Sequence, residues 1–227
     1  MLKKFPSLIW GISRRQFGDC RKSPGKFLET LGLKKKNLVL AQQVHGNKIQ
    51  VVGTKNKGQT INGVDGLITK ELGLTLGIRT ADCLPVLFYE PVARIIGACH
   101  AGWKGILAKL PQKMVDSLII KGALPENILV AVGPHVCRKC YEIKKDQAQN
   151  FEKEFGQLSG MLVKKNGKIY LDLLIPVIFQ LTSSGVLRKN ILLSDECTSC
   201  QNDKYFSYRK DNDKTCGEML SAISLID

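Results

Sequence analysis

The chain has 227 residues, 44% of them hydrophobic and 24% charged, a balance that suits one large globular domain and excludes a disordered chain or a coiled coil. Its 34 Lys and Arg against 20 Asp and Glu leave a net charge of +14, which draws anions such as phosphate wherever it clusters. Basic residues occur in every region without an arginine-rich or aromatic-interleaved repeat. The charge therefore reads as a Lys-rich surface rather than a nucleic-acid-binding module.

No apolar run reaches the roughly 18 residues of a membrane span. Met1-Leu2-Lys3-Lys4 has the basic start of a signal peptide, but Pro6 and Arg14-Arg15 interrupt the short apolar stretch after it, and there is no small-residue cleavage site. A cytoplasmic protein is expected. In that compartment the eight cysteines are thiols, metal ligands or core positions rather than a disulfide framework.

In chain order, short apolar runs bounded by Gly, Pro, Asn or Asp predict strands over 8–13, 38–44, 48–52, 65–69, 74–78, 84–89, 94–99 and 128–132. Helices are predicted over 106–121, stopped by Gly122, over 144–155, and over 171–183, where Asp172 suits the N-terminal dipole. Neither a linker nor an internal repeat divides the chain. The expected fold is mixed α/β (α+β), a single compact domain over residues 1–227 with mixed sheets and flanking helices. Neither GxGxxG nor GxxxxGK[ST] is present.

The densest chemistry lies between Thr80 and Gly105. Two β-rich runs flank Glu90-Pro91-Val92-Ala93, a loop of hairpin length. If Tyr89 faces Arg94, Cys83 faces His100, and both project from one face of the sheet, an inference that a one-residue slip would break. His45, where a predicted strand gives way to Gly46, is the third candidate ligand. Cys/His/His is a sensible donor set for zinc with the fourth position open. Taken singly, the histidines read as hydrogen-bonded residues at strand ends and Cys83 as a core thiol.

In order, QVHG, DGLIT, TADCLPVLF, CHAGWKG, GP…CYE, CTSC and YFSYRKD resemble the YfiH family of laccase-domain, polyphenol oxidase-like proteins. The likeness runs from Gly11 to Leu225. It implies a compact mixed α/β sandwich and a purine nucleoside phosphorylase acting on adenosine and inosine. It also implies methylthioadenosine phosphorolysis and adenosine deamination as companion activities. The family's metal ligands fall on His45, Cys83 and His100, with zinc or copper as the ion. Its N-terminal arginine falls on Arg15, with Arg14 an equal candidate on chemistry alone. Where the family carries Thr-Gly-Arg before the last strand, this chain has Cys216-Gly217-Glu218.

On this reading Asp82 is a partner of a metal-bound imidazole or a proton carrier, the alternative being a turn residue bonding its own backbone. Lys104 and Arg209 join Arg15 as phosphate contacts on charge grounds. The expected partners are purine nucleosides and phosphate, and the oligomeric state is open.

Three other readings compete. Cys137/Cys140 and Cys197/Cys200 have the spacing of a structural Cys₄ zinc site, with His135 a bystander. A copper polyphenol oxidase could use the His₂Cys set with a methionine, but only His135 is left over, too few for a trinuclear copper cluster. A metal-free cysteine hydrolase would use Cys83 as nucleophile and His100 as base, with Asp82 or Gln43 orienting it.

Overall fold

The computed structural model describes residues 5–156, 158–212 and 216–227; Met1-Leu2-Lys3-Lys4 lies outside them. The elements run β1 (Leu8–Ile12), α1 (Gly25–Thr30), β2 (Leu38–Gln42), β3 (Ile49–Val51), β4 (Thr60–Asn62), β5 (Gly66–Thr69), β6 (Thr75–Thr80), β7 (Leu84–Glu90) and β8 (Ile95–Ala101). They continue with α2 (Trp103–Leu107), α3 (Leu110–Ile120), β9 (Leu129–Val132), β10 (Glu142–Ile143), α4 (Lys145–Phe155), β11 (Leu162–Lys165), β12 (Lys168–Leu171), α5 (Leu174–Ser183), β13 (Ile191–Leu193) and β14 (Met219–Leu225).

The strands form a five-stranded sheet in the order β1-β14-β6-β2-β4, a six-stranded sheet β13-β9-β7-β8-β5-β3, and a small sheet β10-β12-β11. The two large sheets face each other. Leu76, Ile78 and Ile223 of the first pack with Leu67, Leu87, Tyr89 and Ile96 of the second in one buried cluster. The opposite face of the six-stranded sheet, through Val86, Phe88 and Val130, packs on Met114, Val115 and Leu118 of α3 and Val177 and Leu181 of α5. The far face of the five-stranded sheet, through Leu220 and Ala222, is closed by Phe27 and Leu28 of α1. The layer order is thus α/β/β/α, the mixed α/β class that the sequence predicts.

Coverage on both faces explains why β7 and β8 are apolar apart from Glu90 and His100: every residue of both is buried. Close helix packing needs small residues beneath it. A Cβ on Gly66 would sit 2.7 Å from Met114 Sδ, and one on Gly97 would sit 2.8 Å from Met114 Cε.

The hairpin register differs from the expected one. Tyr89 pairs with Ile96 rather than Arg94, and His100 with Pro85 rather than Cys83. Glu90 stays in β7, and its carboxylate accepts the N–H groups of Val92 and Ala93. That holds the turn over 91–94, with Arg94 at φ 47°. The displacement is two residues, so the alternation of faces is preserved and Cys83 still projects beside His100.

The helix predicted over 106–121 is two helices. The chain breaks at Lys109, whose φ is 61°, and restarts with Pro111 in the first turn of α3, where a missing N–H costs nothing. The helix predicted from 171 begins at Leu174, because Leu171 completes β12. Asp172 sits at its start, its Oδ1 accepting the Leu174 N–H at 3.0 Å.

Candidate metal centre and its cavity

Cys83 immediately precedes β7, His100 is the penultimate residue of β8, and His45 lies in the turn that follows β2. One ligand atom from each lies within 4.8 Å of the others. The imidazoles meet edge to face, with centroids 4.7 Å apart and planes at 82°. Zinc bound at about 2.0–2.3 Å to such donors needs separations of about 3.3–3.8 Å, so small side-chain adjustments would close the set around an ion. Gly102 sits against all three: a Cβ there would lie 2.9 Å from His45 Cδ2, 3.2 Å from Cys83 Sγ and 3.4 Å from His100 Cε1.

The carboxylate that orients this set is Asp65, not Asp82. Asp65 is fully buried just before β5, and its Oδ1 lies 2.9 Å from His100 Nδ1. With Nδ1 engaged by Asp65, Nε2 is the ring nitrogen left to face Cys83 or an ion, as in carboxylate–histidine–metal arrangements. The same carboxylate accepts the N–H groups of Val44 at 3.1 Å, His45 at 3.0 Å and Gly46 at 2.7 Å. It therefore holds the turn in which His45 adopts φ 59°, and one buried anion positions both imidazoles.

Asp82 has another task. Its Oδ1 accepts the Thr198 hydroxyl at 2.6 Å and its Oδ2 the Arg209 N–H at 2.7 Å. These bonds hold a residue at φ 92°, a strained value for an L side chain, and tie the turn before Cys83 to two points, Thr198 and Arg209, of the segment between β13 and β14. Gln43 does not orient His100 either. Its amide pairs with the backbone of Arg79, donating to the carbonyl at 2.6 Å and accepting the N–H at 2.8 Å.

The electrostatics favour a thiolate. Burial pushes the Cys83 thiol up, but hydrogen bonds from His100 and His45 outweigh it and lower its pKa to about 7. Burial disfavours the His100 imidazolium, yet Asp65 and the Cys83 thiolate raise its pKa to about 9. A thiolate available at neutral pH is the form that binds metal or attacks carbon.

The three residues open into a cavity of about 830 Å³, within the size range of small-molecule sites. Trp103, Tyr141 and Tyr208 supply aromatic surface, and Arg21, Arg79 and Arg209 supply positive charge. Of the arginine and lysine residues expected at phosphate, only Arg209 lines this space. Its Nη1 donates to the Glu142 carbonyl at 2.8 Å and its guanidinium lies 4.5 Å from the Tyr141 ring centroid. Those contacts orient the charge without neutralising it.

Arg15 lies outside the lining. Its Nη2 is bonded to both Asp211 oxygens, at 2.8 and 2.7 Å, and its guanidinium covers Phe206. Lys104 is exposed on α2, 5.6 Å from the Trp103 ring, and is also outside the lining. Arg79, which the sequence does not single out, directly follows the predicted strand 74–78 and immediately precedes the Thr80–Gly105 segment. Glu218 also lines the cavity, its Oε2 3.5 Å from Arg79 Nε.

Tyr141 is a further lining residue, and burial and the nearby Cys83 charge, opposed by Arg209, push its phenol up to about 12. It is a neutral hydroxyl at physiological pH. His135 is buried apart from the centre, with Nδ1 2.9 Å from the Gly133 carbonyl.

Two facing mixed sheets with a Cys/His/His centre at the mouth of their central hairpin define a laccase-like α/β protein. Residues 19–226 match the family model described as multi-copper polyphenol oxidoreductase laccase. The chain is 35% identical over 195 residues to a purine nucleoside phosphorylase of Deinococcus radiodurans, covering 86% of this chain and 73% of that one. It is 30% identical over 189 residues to adenosine deaminase RL5 of an unidentified prokaryote, covering 79% and 72%. The crystal structure of YlmD from Geobacillus stearothermophilus superposes with a TM-score of 0.88 at 28% identity, covering 98% of this chain and 93% of that one. The chain belongs to the laccase-like YfiH family.

Proposed function

We propose that this protein is a purine nucleoside phosphorylase, one catalytic domain that cleaves adenosine, inosine and methylthioadenosine with phosphate to give free base and the sugar 1-phosphate. Adenosine deamination is the companion activity in the same cavity. The carrying observation is a Cys83/His45/His100 donor set opening on a cavity that combines three arginines with three aromatic rings. The relatives named as purine nucleoside phosphorylases and adenosine deaminase support the reading.

His45, Cys83 and His100 would hold zinc, or copper in its place, the two imidazoles and one thiolate leaving an open position toward substrate. Such an ion supplies Lewis-acid charge to an oxygen of phosphate or water. The remaining work falls to this chain's own groups. Arg209 and Arg79 hold phosphate and place an oxygen near the ribosyl carbon, while Trp103, Tyr141 and Tyr208 flank the base and shield the developing cation from water. The departing purine takes up one proton, for which the Tyr141 hydroxyl is one protonated group in the lining. Glu218 is the lining carboxylate available to move protons in deamination, since Asp82 is occupied by Thr198 and Arg209.

A copper polyphenol oxidase is disfavoured despite the family description. The chain has three histidines, and His135 lies outside the centre. A metal-free cysteine hydrolase is the second reading, favoured by one observation: the Cys83 thiol titrates near 7 beside a His100 imidazolium. All eight cysteines are unpaired, which supports the proposed cytoplasmic location. No helix among the described residues is long and apolar enough to cross a membrane.

The test is product analysis. Adenosine and inosine are incubated with and without phosphate, using wild type and Cys83→Ala of known metal content. Phosphate-dependent release of base and ribose 1-phosphate, lost in the variant, is the expected result. Metal-loaded wild type that leaves both nucleosides intact would overturn the proposal.

A further inference from the structure

A second donor cluster lies outside the Cys/His/His centre. Cys137 precedes and Cys140 ends a single turn, Arg138–Cys140, in the segment after β9, and Cys197 and Cys200 lie in the segment after β13. These strands are parallel neighbours, Ile191 pairing with Val130 and Leu193 with Val132, so their C-terminal ends emerge side by side. The chains continue together beyond the strands. His135 bridges Cys197, and the Thr198 N–H donates to the His135 carbonyl at 3.1 Å.

The four Sγ atoms all lie within 4.8 Å of one another. Cys140 Sγ is 3.4 Å and Cys137 Sγ 4.0 Å from Cys200 Sγ. A tetrahedron of thiolates bound at about 2.3 Å has sulfur–sulfur edges of about 3.8 Å. Cys197 Sγ also accepts two backbone N–H groups, from Cys137 at 3.2 Å and Cys200 at 3.4 Å. Such donors stabilise a metal-bound thiolate and fix its direction. Cys197 is buried, Cys137 and Cys140 are half-buried and Cys200 is exposed; four thiols brought together are poorly satisfied by themselves, because each is a weak donor and a weak acceptor.

We propose that Cys137, Cys140, Cys197 and Cys200 form a closed structural zinc site, separate from the Cys83 centre. Four protein sulfurs complete the coordination shell, leaving no position for substrate, so the ion acts as a cross-link. It joins the two segments that build one side of the cavity. Tyr141, which lines it, follows Cys140 directly. Thr198, which follows Cys197, donates to the Asp82 carboxylate next to Cys83. Each cysteine gives up its proton on binding, so loading releases protons and weakens as pH falls.

The experiment uses Cys83→Ala, which leaves the cluster intact, beside wild type, both purified under reducing, oxygen-free conditions. The expected result is one zinc per chain retained in Cys83→Ala and one more than that in wild type loaded at both sites. Cobalt substituted into Cys83→Ala should give the intense thiolate charge-transfer and tetrahedral bands of four-sulfur ligation. Cys137→Ser with Cys200→Ser should lose the Cys83→Ala metal and its spectrum, while mercurial titration of the unmutated cluster gives the same readout without relying on the folding of that variant. Cys83→Ala without bound metal, a cobalt spectrum lacking four-sulfur character, or the four cysteines joined in disulfides in reduced protein would overturn the proposal. If the Cys83 centre itself holds no metal, wild type and Cys83→Ala carry the same single zinc, and this site still stands.

Discussion

Asp65 and His100 are 35 residues apart in sequence yet form a buried pair, Oδ1 to Nδ1 at 2.9 Å, because β5 lies antiparallel to β8. The Asp65 carbonyl also accepts the His100 N–H at 2.9 Å, so backbone and side chain fix the imidazole together. Asp65→Asn removes the anion that orients His100 and the turn of His45. The expected outcome is a loss of metal affinity of roughly 10–100-fold at the Cys83 centre, with a stability loss of about 1–3 kcal/mol. Metal titration against a competing chelator and denaturant melts measure the two effects.

Gly102 has φ −78°, which any residue can adopt, so its role is spatial. A Cβ there meets His45, Cys83 and His100 at once. Gly102→Ala should therefore displace the donor set and lose the metal of that centre, while costing about 1–3 kcal/mol through overpacking. Retained metal at full affinity would show that the three side chains have room to spare.

In metal-free protein, alkylation of Cys83 followed by peptide mass should rise with a midpoint near pH 7, and His100→Ala should move the midpoint toward the ordinary 9.0. The sign for stability follows from linkage. The depressed Cys83 value contributes stability present above about 9 and lost as pH falls through about 7. The raised His100 value contributes stability present below 6.5 and lost as pH rises through about 9. The two slopes oppose between 7 and 9, so thermal stability there should be nearly flat.

Arg79 and Glu218 face each other across the cavity wall at 3.5 Å. Under the phosphorylase reading, Glu218→Gln frees Arg79 for phosphate and lowers the KM for phosphate several-fold, whereas Arg79→Met raises it. Initial rates at varied phosphate and saturating inosine measure both.

Arg15 carries a structural load instead. Its guanidinium joins Asp211 and the Tyr205 carbonyl, and Arg15→Met should cost about 1–2 kcal/mol while leaving the KM for phosphate unchanged. A large rise in that KM would return Arg15 to the phosphate site.

The central hairpin was legible because burial on both faces makes β7 and β8 apolar runs broken only by Glu90 and His100. The face shared by Cys83 and His100 survived a two-residue change of register because side chains alternate with period two. The small sheet was not legible: β11 and the start of β12 are Lys-rich and half exposed, without the pattern of a buried strand. β14 was missed because Ser221 and Ser224 interrupt its apolar run, although both are buried. The role of Asp65 depends on long-range strand pairing, and its local signal was only an Asp-Gly step before an apolar run. Charge alone could not separate Arg209, which lines the cavity, from Arg15, which Asp211 neutralises.

The most direct test of a three-donor metal centre is His45→Ala, because a cysteine–histidine dyad has no need of that side chain. Formation of ribose 1-phosphate from inosine and phosphate is measured beside the metal content of the same sample. The account predicts that activity and one metal equivalent are lost together, with the fold retained. His45→Ala that keeps wild-type turnover would contradict it.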